Sequence, residues 1–186
     1  YYPIVYLQLD LIEGKQWDNI YHEHIFYYSI TALRNMFMRH GMTVVDFDEI
    51  PIHSGSIRVT VRNRTTYESS KVDLRVDWES KWAHSFIADV KHLTKYGDTV
   101  KKHIMDFKDT IKHLSDKYTI GGYGASGRAN MFCNLTDLGV DTVKFIVDES
   151  PERCGRYIAN TDIPIVDIET LENSNVNLII IFAWNY

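Results

Sequence analysis

Residues Asp18 to Ser29, DNIYHEHIFYYS, set His22, Glu23 and His24 in a row, with Tyr21 before them and Tyr27 and Tyr28 after. Imidazole, carboxylate and phenol together can move protons or bind a metal. A zinc site of the H-E-x-x-H kind puts its histidines one helical turn apart, on one face. Here a single residue separates them. On a helix they diverge; on a strand they share a face while Glu23 turns away. Neither arrangement supplies three convergent ligands and no cysteine cluster helps, so no metal is expected. Acid–base chemistry suits the set better. Histidine is the commonest general base, a nearby carboxylate can fix its tautomer, and Tyr21 can donate to a developing oxyanion. A corner of partly buried, hydrogen-bonded aromatics accounts for the same residues, and local spacing leaves both readings open.

A second candidate lies at GGYGASGRAN, where Gly122, Gly124 and Gly127 fall at the spacing G-x-G-x-x-G. The segment follows an apparent strand and opens an apparent helix. Glycines there permit a tight turn, and the helix N-terminus offers N–H groups and a positive dipole end to a phosphate. Arg128 would add charge for a diphosphate. Asp148 closes the next strand at about the distance of a ribose-binding acid. A glycine-rich turn without a ligand fits the same letters, and the pattern does not choose between them.

These groups need elements to hold them. Residues 3–14 read as a strand running into a short helical turn, and residues 15–28 as a loop or short strand. SITALRNMFMRHG predicts a helix capped by Ser29, with Leu33, Met36 and Phe37 on one face and Gly41 as its stop. MTVVDFDEIP and GSIRVTVRN predict a hairpin. Ile57, Val59 and Val61 alternate with Arg58, Thr60 and Arg62, and Pro51 ends the first strand. RNRTTYESS reads as a polar loop. From Asp77 to about Tyr118, Trp82, Phe86 and Val90, then Val100, Ile104, Phe107, Ile111 and Leu114, recur at helical spacing. They predict one or two amphipathic connector helices, broken near Gly97. The last third predicts strand, glycine turn, helix, a strand at VKFIVDES, a turn and short helix at PIVDIETLENS, and a strand at NLIIIFAW. That is the pattern of a parallel sheet.

The 186 residues suit one large domain or two small ones, and 45% hydrophobic with 13% aromatic residues is enough for a core. A net charge of -5 argues against a general nucleic-acid partner. No long apolar run or signal pattern points to a membrane. Cys133 and Cys154 lie far apart, as two free thiols of a cytoplasmic protein would. The first residues, YYPIVYLQLDLIEG, look like the interior of an α/β domain, and the last, NLIIIFAWNY, stop just after a strand. A fragment is expected.

In combination the motifs resemble the C-terminal region of nucleotide-sugar C-methyltransferases. That family shows a pattern similar to Y-H-E-H, a helix ending R-H-G, then P-x-H-G-G-S-x-R; this chain carries Tyr21–His24, Arg39–Gly41, and Pro51, His53, Ser54, Gly55, Ser56 and Arg58. Ser54 stands where the family has the first glycine of its pair, a departure that bears on the turn there. GYGASGRAN resembles the family's G-Y-G-A-x-x-x-x-N, VDESPERCGRYIANTDIPI its D-x-x-x-x-x-G-R-Y-x-x-x-x-x-I-P-I, and IIIFAWNY a strand ending in Trp-Asn. The four ordered motifs span nearly the whole chain.

The resemblance implies an α/β fold: a hairpin and helix segment with connector helices, then a C-terminal Rossmann-like parallel domain. The change of character along the chain puts a domain boundary near residue 116, and with the resemblance the divisions are 1–76 (tail of a donor domain plus motif and hairpin), 77–116 (connector helices) and 117–186 (a truncated nucleotide-sugar domain). The resemblance implies transfer of a methyl group from S-adenosylmethionine to a carbon next to the ketone of a nucleotide diphosphate keto-deoxysugar. The donor would be held by a domain outside this chain, and zinc by a further N-terminal one, so that the fragment alone is inactive. It gives His24 the role of base, with Glu23 and Tyr21 as companions. Gly122, Gly124, Ala125, Ser126, Arg128, Asn130, Asp148 and His53 are implied as substrate-binding, and His22 as structural. Two other readings remain: a nucleotide or nucleotide-sugar binding module without chemistry, and a nicotinamide-dependent enzyme.

Overall fold

The computed structural model describes residues 3–5, 12, 14–50, 56–63, 67–86 and 90–184. The protein is mixed α/β and divides into two compact units. The first holds the chain to Ile20 and His24–Asp98; the second holds Tyr21–Glu23 and Thr99–Trp184.

In the first unit, strands β1 (Pro3–Val5), β2 (Met42–Ile50) and β3 (Ser56–Asn63) form an antiparallel sheet in the order β1-β3-β2. The expected hairpin is there, with Glu49 opposite Ile57, Phe47 opposite Val59 and Val44 opposite Val61. Its alternation follows from one buried face. Val44, Phe47, Ile57 and Val59 pack with Ile30, Leu33 and Val72, while Arg58 and Arg62 are exposed. Helix α1 (Ile30–Arg39) starts where Ser29 Oγ accepts from the Ala32 N–H at 3.1 Å. It stops at Gly41, whose φ of 69° suits a glycine after a helix end. A turn of 3-10 helix, Trp17–Asn19, precedes the His/Tyr segment, which continues as irregular chain up to Ser29.

The helical middle differs from expectation at two points. Helix α2 spans Ser70–Phe86, beginning before Asp77, because Val72 and Val76 supply a core-facing stripe within a charged stretch. Glu79, buried one turn further on, interrupts that stripe and hides it from an apolar count. Helix α3 spans Val90–Ser115 and runs through Gly97 without a break. A glycine inside a helix costs only about 1 kcal/mol, and the Phe107, Ile111 and Leu114 face, packed on the second core, outweighs it. Phe86 and Val90 belong to separate helices.

In the second unit, β4 (Ile120–Tyr123), β5 (Val143–Val147), β6 (Ile165–Val166) and β7 (Leu178–Ile181) form a parallel sheet in the order β6-β5-β4-β7. The two-residue β6 was not anticipated, being too short to show a period. Helix α4 (Gly127–Thr136), capped by Ser126, ends at Asp137, a left-handed residue with φ 53°. Helix α5 (Ile168–Glu172) is capped by Asp167, which accepts from the Thr170 N–H at 2.9 Å. Ile120, Val143, Ile146, Ile163, Ala129, Leu138 and Cys133 form the core. Burial there pushes the Cys133 thiol up to about 12, so it is an inert apolar group.

Candidate active site

The second sheet fixes where a ligand belongs. From β4 the chain steps to β5 and then β6 on one side, and returns with β7 on the other. Open parallel sheets bind ligands beyond the carboxyl ends of the strands at such a reversal. Beyond the ends of β4 and β7 lies a crevice of about 320 Å³. Tyr123, Gly124, Ser126 and Gly127 line it from the glycine turn, Asp148, Glu149 and Arg153 from the end of β5, Ala183 from the end of β7, and Tyr21 and Glu23 from the His/Tyr segment.

The turn is tied down at its base. The Gly124 N–H donates to the Val147 carbonyl at 2.7 Å and the Ala125 N–H to Asp148 Oδ2 at 2.8 Å. Gly124 holds φ +88°, and a Cβ there would lie 2.5 Å from Ala183 Cβ, so only glycine lets β4 and β7 run out side by side. Asp148 also accepts from the Ser150 N–H at 2.9 Å and from Arg153 Nη1 at 3.1 Å. Burial works to raise its pKa, but these three donors outweigh burial and hold the carboxyl below its usual range. Asp148 is thus anchored mainly to its own loop. Glu149 accepts from the Tyr123 hydroxyl, and that bond raises the phenol's pKa.

Several of the expected site residues sit elsewhere. Gly122 lies within β4, where a Cβ would come 2.8 Å from both Ile146 and Phe182; its smallness serves the core. Arg128 is buried, its guanidinium 4.9 Å from the Trp184 ring centroid, and it is not among the residues that line the crevice. Asn130 stands one turn along α4 and accepts from Asn134 Nδ2. His53 lies outside the described residues. Ala125 serves the crevice through its N–H rather than its side chain. The guanidinium at the rim comes instead from Arg153, half-exposed and paired with Asp148. Sequence reasoning passed over it, although it sits inside the VDESPERCGRYIAN stretch that carried the resemblance.

His24 belongs to the first unit. Its Nδ1 lies 2.8 Å from the carbonyl oxygen of Asn19, which also receives the Tyr27 hydroxyl at 3.3 Å. A carbonyl can only accept, so Nδ1 carries a proton, and in the neutral ring the lone pair is then on Nε2. Asn19 itself is fully buried in the 3-10 turn and steadied by a 3.1 Å bond to Gln16. Glu23 and His22 are exposed, 4.0 Å apart, an ion pair of little energetic weight. Among the described residues, no group of three or more His, Cys, Asp and Glu side chains could hold a metal ion. No helix among them is long and apolar enough to cross a membrane.

Comparison with known proteins bears on residues beyond the crevice. The family described as C-methyltransferase C-terminal domain matches residues 51–186. The C-methyltransferase NovU of Streptomyces niveus is 24% identical over 179 residues, covering 96% of this chain and 42% of that protein. The chain therefore spans less than half the length of that relative, over a stretch that takes in the His/Tyr segment.

Proposed function

The chain belongs to the C-methyltransferase C-terminal domain family, and from that premise we propose that it supplies the substrate-binding and proton-abstracting part of a sugar C-methyltransferase. The substrate is a nucleotide diphosphate keto-deoxysugar, methylated at a carbon next to its ketone, and the setting is cytoplasmic. S-adenosylmethionine, when bound, supplies the methyl group. The glycine turn offers it no second cradle, since the places of Gly122 and Gly124 are taken up by packing against Ile146, Phe182 and Ala183. Donor binding falls to a domain outside this chain, as does any zinc, and the chain alone does not complete the reaction.

The observation that carries the reading is the fixed tautomer of His24. With Nδ1–H engaged by Asn19, the lone pair of the neutral ring lies on Nε2, the nitrogen that serves as base. It takes the proton from the carbon beside the ketone, and the C–H electron pair becomes the enolate. Tyr21 donates its hydroxyl to the enolate oxygen, which lowers the energy of the developing charge. Glu23 lines the same crevice as Tyr21. The diphosphate rests against the glycine turn, with Ser126 at the opening of α4 and Arg153 as its counter-charge.

In a longer protein containing the donor-binding part, His24→Asn is expected to lower kcat by about 10²–10⁴-fold, with KM for the nucleotide sugar nearly unchanged. Unchanged turnover would reject His24 as the base. The crevice at the sheet reversal also fits a second reading, a nucleotide-binding module without chemistry. Retained thymidine diphosphate binding by a longer protein with no methyl transfer in any background would favour it.

A further inference from the structure

The third glycine of the turn has a different neighbour from the other two. A Cβ on Gly127 would lie 2.7 Å from Tyr21 Cδ2 and 2.9 Å from Cε2. Those distances are shorter than real Cβ contacts, and the obstacle is the edge of a rigid aromatic ring rather than the end of a flexible chain. Gly127 is the first residue of α4, with Ser126 as the cap before it. Its φ is not in the left-handed region, so no backbone demand calls for glycine there. Alanine is the better helix former by about 1 kcal/mol. The remaining demand is the ring of Tyr21, and both residues line the same crevice.

We infer that Gly127 is a positioning residue: it is the seat that holds Tyr21, and with it the Tyr21–Glu23 segment, on the wall of the substrate crevice. In a dinucleotide fold the bare glycine at this place serves close packing of the helix on the sheet. Here the open position is occupied by the protein's own phenol ring. The seat sets the reach of the Tyr21 hydroxyl, since swinging the side chain about its Cα–Cβ bond, the motion that would carry the hydroxyl away, takes the Cδ2–Cε2 edge off the glycine. The part of this inference that concerns catalysis rests on the reading of Tyr21 as an active-site group; the seat itself does not.

A double-mutant cycle separates the two. Wild type, Gly127→Ala, Tyr21→Ala and the double variant of this chain are unfolded in urea. Gly127→Ala is expected to raise the unfolding constant about tenfold in the wild-type background and to leave it level or lower it in the Tyr21→Ala background. Equal effects in both backgrounds overturn the seat. Should Gly127→Ala alone fail to fold, a folded double variant supports the seat and an unfolded one overturns it. The same cycle in the longer enzyme reads the consequence. Gly127→Ala is expected to cut kcat as deeply as Tyr21→Ala does, with little change in KM, and to have no further effect once Tyr21 is Ala. A coupled cycle with full turnover in Tyr21→Ala keeps the seat and rejects the catalytic role of Tyr21.

Discussion

The two helices that open next to candidate site residues begin alike and are finished differently. At α1, Ser29 caps the helix through the Ala32 N–H; at α4, Ser126 does the same through the Ala129 N–H. At α1 the protein then brings in its own anion. Buried Glu79, from α2, accepts from the Ile30 N–H at 2.9 Å, the Thr31 N–H at 2.8 Å and the Thr31 hydroxyl. Arg75 stands 3.3 Å from the same carboxylate and joins it to Glu49. At α4 the carboxylate of Asp148 stops one residue short of the cap, on Ala125, and Ser126 and Gly127 face the crevice. A helix start attracts negative charge wherever it lies. At α1 that attraction is satisfied internally and fixes the end of the His/Tyr segment; at α4 it is left facing a space that a ligand can enter.

The largest test of this contrast is Glu79→Ala. It strands two backbone N–H groups and deprives Arg75 of its buried partner, so we expect a loss of about 3 kcal/mol, read from urea unfolding. A loss as small as that of a surface substitution would mean that α1 does not depend on its internal anion. Asp148→Ala should cost less, about 2 kcal/mol, because Arg153 reaches solvent. It should also weaken nucleotide diphosphate binding, which Glu79→Ala leaves alone where the chain stays folded; calorimetry distinguishes them. Arg153→Ala should leave stability nearly unchanged and lower that affinity about tenfold. The two caps form the finest comparison: Ser29→Ala and Ser126→Ala should each cost about 1 kcal/mol.

The pH dependence sharpens the same point. The Asp148 carboxyl is held below its unfolded value, which is about 3.9 for an aspartate. Its contribution is therefore fully present above that pH and is lost as pH falls through the lower folded value. Asp148→Asn should flatten the acid limb of the stability curve below about pH 4, in titrations monitored by circular dichroism. An unaltered limb would show that the three donors do not stabilise the ionised form.

Features written in neighbouring residues were legible in the sequence. The Ser29 cap, the Gly41 stop, the Ile57–Val59–Val61 alternation and the strand–turn–helix around Gly124 all carry their cause within a few positions. What escaped depends on residues far apart in the chain. Glu79 caps a helix 48 and 49 positions away, and its burial masks the stripe that starts α2 early. Gly97 looks like a break until the packing of α3 is weighed against the small cost of a glycine. The glycines themselves were readable as small, but not what makes them small: a core ring at Gly122, a strand neighbour at Gly124, a tyrosine at Gly127. Arg128 reads as a phosphate ligand by position alone, whereas Trp184, far along the chain, stacks over it.

One bond has a further consequence for time rather than place. With Nδ1 of His24 pinned to the Asn19 carbonyl, the nitrogen that takes a proton is also the one that must give it back. Under the proposed chemistry, proton removal and carbon–carbon bond formation are then separate events on one clock. If the methyl donor is withheld and the solvent is heavy water, the base should still cycle, each return delivering deuterium to the sugar carbon. Isotope would accumulate in unmethylated substrate at a rate set by proton removal and return rather than by methyl transfer, and proton NMR would follow it as a vanishing signal.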